Sequence, residues 1–192
     1  MKAALMLCLA ALPLAANELN GNCAEPFRSP VRPGDHLSMH LRAGAIQIRG
    51  TDQAAIVVTC GFRNDDPATA KIRFRTDRDE LIVHGGSDDN FHLSVEVPRK
   101  SGLFLRITAG ELTVSGIAGD KDVEMNAGQM NLEVGDPAAY AHADASLWSG
   151  EIDAAAFGAE RGGLFRSWSS DNPSGKYRLH AHLVAGQIRL IR

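Results

Sequence analysis

The chain has 192 residues, 44% of them hydrophobic, with 20 Lys and Arg against 23 Asp and Glu for a formal net charge of −3. That length and apolar content support one domain with its own core and exclude a disordered or collagen-like chain. The mildly acidic balance lacks the long-range field that gathers phosphates, so nucleic acid is not an expected partner.

The first sixteen residues read as a signal peptide. Lys2 supplies a positive start, Ala3 to Leu14 carries no charge, and Ala15-Ala16 places small residues before polar Asn17, the pattern of a cleavable leader. The apolar run is too short to span a bilayer. A retained anchor helix is the lesser alternative. No Leu-x-small-Cys pattern precedes Cys8 or Cys23, and no second apolar run of membrane-spanning length follows. The expected location is periplasmic or secreted, with no transmembrane segment after cleavage.

Cleavage removes Cys8 and leaves Cys23 and Cys60, an even pair in an oxidising compartment. A disulfide between them is expected, closing a loop worth about 4 kcal/mol in the chain-entropy picture; two free buried thiols are the alternative. Residues 17–35, with Pro26, Pro30, Pro33 and Gly34, read as a polar arm or cap. From His36 onward the pattern is short strands of period two. The nearest helical candidate, 136–145, is opposed by Pro137 and its run of small residues.

Five segments share one frame around a glycine: 39–48 (MHLRAGAIQI), 105–114 (LRITAGELTV), 123–132 (VEMNAGQMNL), 145–154 (ASLWSGEIDA) and 181–190 (AHLVAGQIRL). Gly44, Gly110, Gly128, Gly150 and Gly186 each follow Ala or Ser. Three positions before each glycine, and two and four positions after it, the residue is apolar in fifteen cases of fifteen. Between the last two columns stand Gln47, Thr113, Asn131, Asp153 and Arg189, the alternation of a half-buried strand. The apolar set changes parity at the glycine. An uninterrupted strand keeps one parity, so the chain must bend or bulge there for both halves to face one core. Glycine reaches the positive φ this needs at low steric cost.

Successive glycines lie 66, 18, 22 and 36 residues apart, near multiples of a unit of about 18–22 residues. Such a unit fits one coil of a β-solenoid with rungs about 4.8 Å apart. The expected fold is all-β: a single-domain β-solenoid over 36–192, with a β-sandwich of hairpins as the alternative. The remaining rungs are expected at 56–60, 72–83, 91–97 and 164–168.

Residues 91–135 carry alternating strand residues, then Val95-Glu96-Val97-Pro98, then Leu105 to Gly119, then Ala127 to Leu132. This run is similar to the putative-adhesin family of bacterial exported proteins, closely over about 45 residues and in style over 36–192. The resemblance implies a right-handed β-solenoid, distantly bactofilin-like, and carries no catalytic residues. The chain departs from the family pattern by Ala for Ser before most of the glycines, by the cysteine pair and by Gly162-Gly163.

Outside the repeat, His180 and His182 are two apart on a predicted strand and share a face. With His142 or His40 they offer a transition-metal clamp, against the plainer reading of an exposed polar face. Asp65-Asp66, Asp88-Asp89 and Asp120 with Asp122 have turn neighbours and lack calcium-loop spacing. Glu111, Glu133, Glu151 and Asp153 lie in or near outward columns, where two carboxylates on neighbouring rungs reach glycosidase distances; Gln129 and Gln187 in the same columns argue for a polar ladder instead. Trp148, Phe165 and Trp168 offer a sugar-stacking or partner-binding patch, or a core corner. The sequence therefore assigns no catalytic, cofactor-binding or metal-ligating residue.

The function expected is a non-catalytic structural or adhesin-like interaction protein of the cell envelope. A carbohydrate-binding module, or a polysaccharide-acting enzyme on the outward polar face, is the alternative. The strand 187–191 is expected to be a terminal rung whose open edge docks on an envelope protein or a second copy.

Overall fold

The computed structural model describes residues 18–19, 25–31, 36–62, 73–77, 80–85 and 91–192. The expected signal peptide and Cys23 lie outside them. Twelve strands join one hydrogen-bonded sheet: β1 (Glu18–Leu19), β2 (Phe27–Pro30), β3 (His36–Thr51), β4 (Ala55–Phe62), β5 (Arg73–Asp77), β6 (Glu80–Gly85), β7 (Phe91–Pro98), β8 (Gly102–Ser115), β9 (Lys121–Glu133), β10 (Tyr140–Ala154), β11 (Ala159–Asp171) and β12 (Tyr177–Ile191). Short 3-10 turns at Pro137–Ala139 and Ala155–Phe157 flank β10. Among the described residues no helix is long and apolar enough to cross a membrane.

The five glycine-centred segments lie side by side, parallel and in register, in the order β3, β8, β9, β12, β10. Their glycines form one column, Gly44–Gly110–Gly128–Gly186–Gly150. All five have φ between 124° and 140°, a region side chains avoid. A Cβ on Gly110, Gly128, Gly186 or Gly150 would also overlap the carbonyl oxygen of its neighbour in the column. The glycines thus answer two demands at once, a reversed φ and close backbone stacking. The fifteen apolar residues of the repeat are all buried, none more than 4% exposed, so the parity switch does turn both strand halves toward one core.

The connections require the same bend. Five residues, 116–120, link β8 to its parallel neighbour β9, and can bridge about 20 Å at most. A straight strand of 14 residues would be about 46 Å long. The strand must therefore turn back on itself, and it does so at the glycine, where the ladder skips Arg42, Thr108, Asn126, Val184 and Trp148.

On the outer side of β3 the next strand position is shared by two strands. β6 pairs in parallel with residues 36–41 and β7 with residues 45–51. Beyond it β4 and β5 run antiparallel to β7 and β6, with β2 and β1 antiparallel outside them. At the opposite end β11 runs antiparallel to β10. The described residues of the segments expected as rungs lie in strands, but 56–60, 73–77 and 164–168 pair antiparallel and so do not continue the parallel stack.

The position of residues 187–191 also differs from expectation. β12 lies between β9 and β10, hydrogen-bonded on both sides, and its Ile188 and Leu190 are fully buried. It is not a terminal rung. The chain reverses after β10 through Ala155–Phe157 and Gly158, whose φ is 72°, so β11 takes the outer edge and β12 returns on the inner side. Cys60 on β4 is half-buried and disulfide-bonded; Cys23, the expected partner, lies outside the described residues.

Candidate functional site

The column skipped by the ladder is an exposed ridge along the bend. In spatial order it reads Arg42, Thr108, Asn126, Val184, Trp148, changing from polar to apolar toward β11. Beyond Trp148 the ridge continues into Leu164 and Phe165 of β11. Val184, Trp148, Leu164 and Phe165 are 37%, 58%, 60% and 71% exposed, four of the six large apolar side chains exposed among the described residues. The Trp148 and Phe165 rings stand 5.3 Å apart, tilted by 37°. Phe165 holds φ at 52°, the one non-glycine residue with positive φ among those described. A bulky side chain there costs about 1–2 kcal/mol, and such strain concentrates at binding surfaces.

Trp168 does not join this patch. It sits opposite Ala145 in the β10–β11 ladder and packs against the core, 4.7 Å from Phe157. Tyr140 packs edge-on to Phe157 and to Tyr177. These aromatics pack beside the small Ala143 and Ala145 and close the core's end. Further along the edge Arg166 and Arg161 stand opposite Leu147 and Ile152. Charge at these edge positions opposes strand-by-strand stacking.

The histidines occupy the outward face of the strand halves before the glycines. Two columns cross it, Asp144–His180–Asp122–Phe104–Ser38 and Ser146–His182–Glu124–Arg106–His40. Nδ1 of His180 lies 2.7 Å from Asp144 Oδ2, and Nδ1 of His182 lies 2.8 Å from Ser146 Oγ. His142 reaches Asp171 at 2.6 Å and Asp144 at 3.4 Å. The Asp144 carboxylate thus separates the two rings, so His142 and His180 do not clamp one ion. His40 is three strands from His182, about 14 Å away.

The glutamates do not form a glycosidase pair across neighbouring rungs. Gln129 and Gln187 lie between Glu111 and Glu151 in one column, so these two are about 14 Å apart, beyond the about 5–9.5 Å that glycoside hydrolysis uses. Glu151 accepts from Gln187, Asp153 from the Ala155 amide and Glu133 from the Gly116 amide. Each carboxylate serves the local framework.

One buried charge-bearing group escaped the sequence reading. Lys121 occupies an inward column otherwise filled by Leu37, Leu103, Leu179 and Ala143, and it is 1% exposed. Its Nζ donates to Ile117 O at 2.8 Å and meets Tyr140 Oη at 2.5 Å. Burial lowers its pKa to about 8, against the pull of Glu133 and Asp120. Burial likewise raises the Tyr140 hydroxyl, helped by Tyr177 and the same two carboxylates.

No protein-family model and no curated protein matches the chain. Among solved structures it is similar to a putative cell adhesion protein from Clostridium sporogenes, at 14% identity and a TM-score of 0.53, over 86% of this chain and 98% of that one. A putative adhesin from Parabacteroides merdae aligns over 57% of this chain and 59% of its own, at 11% identity and a TM-score of 0.27. Neither comparison supports a bactofilin-like relation. What the first establishes is a shared all-β fold spanning most of both chains.

Proposed function

We propose that the chain is an exported, non-catalytic, adhesin-like interaction protein of the cell envelope, built on a right-handed β-solenoid whose ends are closed by antiparallel strands. The solenoid reading is supported by the in-register parallel column and by the five-residue link that forces β8 to turn back before β9. The interaction reading is carried by one observation: Val184, Trp148, Leu164 and Phe165 form a contiguous exposed apolar ridge at the edge strand. Contiguous apolar exposure of this kind marks contact surfaces, and aromatic side chains dominate binding energy at them. The adhesion name of the Clostridium neighbour agrees with this reading. The location proposed is periplasmic or extracellular, after removal of residues 1–16.

The test uses the purified mature chain and intact envelope sheets. Trp148→Ala combined with Phe165→Gly removes the ring pair, and the glycine also relieves the positive φ, so the fold is retained. Binding should weaken about 30-fold or more, the loss of about 2 kcal/mol that a central anchor gives, with the unfolding transition unchanged. Undiminished binding by this variant would overturn the reading. Loss of binding to a pure polysaccharide in the same variant would move it to the carbohydrate-binding alternative.

A further inference from the structure

We propose that Asp122, Glu124 and His180 form a binding site for a divalent transition-metal ion on the outward face of β9 and β12. One donor atom from each side chain lies within 4.8 Å of the other two, and all three residues are half-buried. The arrangement follows from strand order. Asp122 and Glu124 are two apart on β9 and share a face, and β12 places His180 directly beside Asp122.

Second-sphere contacts prepare these donors. A carboxylate only accepts hydrogen bonds, so Asp144 Oδ2, 2.7 Å from Nδ1 of His180, fixes the proton on Nδ1 and leaves the Nε2 lone pair for a metal. Carboxylate-oriented imidazoles of this kind are the usual support of metal ligands. Asp144 is itself held from the other side by His142, and His142 by Asp171.

Arg106 engages one oxygen of each ligand carboxylate, Asp122 Oδ1 at 2.8 Å and Glu124 Oε1 at 3.2 Å, leaving the other oxygen of each for an ion. The acids of this network, Asp122, Glu124, Asp144 and Asp171, outnumber its one arginine, Arg106, which favours a bound cation.

One imidazole nitrogen with two carboxylate oxygens suits zinc, manganese or cobalt better than calcium or magnesium, which prefer all-oxygen sets. Zinc bonds of about 2.0–2.1 Å place donors about 3.4 Å apart. The present spacing needs a contraction of up to about 1.4 Å, within reach of a rotamer change at half-buried Glu124. Three protein donors leave at least one coordination position open to solvent.

Isothermal titration of the tag-free mature chain with zinc chloride tests the site. The expected result is one ion per chain, with a Tm that rises with the logarithm of free zinc. Asp122→Asn and His180→Gln, which keep side-chain shape, should each weaken binding at least about 10-fold; Asp144→Asn, a positioning change, should weaken it about 10–100-fold. His182→Gln, one step along the strand and outside the trio, should bind as the parent does. Circular dichroism confirms that each variant is folded. No heat and no Tm shift at millimolar zinc, or equal losses in His182→Gln and His180→Gln, would overturn the proposal.

Discussion

The buried lysine gives a stability profile that runs opposite to that of most folded domains on the alkaline side of neutrality. Lys121 has its pKa lowered from 10.5 to about 8 by burial. Its folded-state affinity for the proton is thus lower than in the unfolded chain. Below pH 8 both states are protonated and folding carries the full cost, about 3 kcal/mol for a shift of this size. As pH rises from 8 to 10.5 the unfolded chain holds more protons than the folded one, and stability must climb. Between pH 7 and pH 9.5 the gain is about 2 kcal/mol. Tyr140, whose pKa is raised, works the other way, since above about pH 10 the unfolded tyrosine ionises first. The measurement therefore stays below pH 9.5. Urea unfolding of the wild type and of Lys121→Met at several pH values isolates the effect. The variant leaves Tyr140 Oη and Ile117 O without the lysine, so its absolute stability shifts for reasons of its own. The difference in slope is the clean readout: the wild type gains about 2 kcal/mol that the variant does not. Parallel profiles would show that Lys121 is not desolvated in the fold, and the burial argument would fail.

Two further outcomes can be checked with the same unfolding assay. Gly128→Ala should cost at least about 3 kcal/mol, because the new methyl combines positive φ with overlap on Gly110 O. Gly135→Ala, at φ 67° with open space around it, should cost only about 1–2 kcal/mol. Equal losses would remove close stacking as the reason for the column. A tryptic map under non-reducing conditions should contain a Cys23–Cys60 linked peptide, and reduction should lower stability by about 4 kcal/mol; two titratable thiols in the mature chain would refute the pairing.

What the sequence could show was local register. Parity around the five glycines announced both the bend and the buried set, because burial leaves a period-two trace in any strand. Neighbour order leaves no such trace. Nothing in 145–154 or 181–190 says that β12 enters between β9 and β10, so a terminal rung was expected where the structure has an interior strand. The same gap hid the Asp144–His180–Asp122 column, whose acids come from strands far apart in the chain, and the two glutamines that stand between Glu111 and Glu151 in space. Lys121 was invisible for another reason. A lysine one repeat step beyond the apolar columns reads as a solvated strand start, and only the Tyr140 hydroxyl and the Ile117 carbonyl explain its burial. The aromatic patch divided because Trp168 faces the small Ala145, while Trp148 stands on the bend.

The position of β12 bears on how the chain can be delivered. Synthesis releases residues 36–171 before residues 177–191, so β3, β8 and β9 can pair as one half and β10 with β11 as another. Each half then ends in a bare ladder, at β9 and at β10, with a slot one strand wide between them. Segment 177–191 is the keystone that fills the slot on both sides. Until that segment docks neither ladder is complete, and its insertion is what joins β9 to β10.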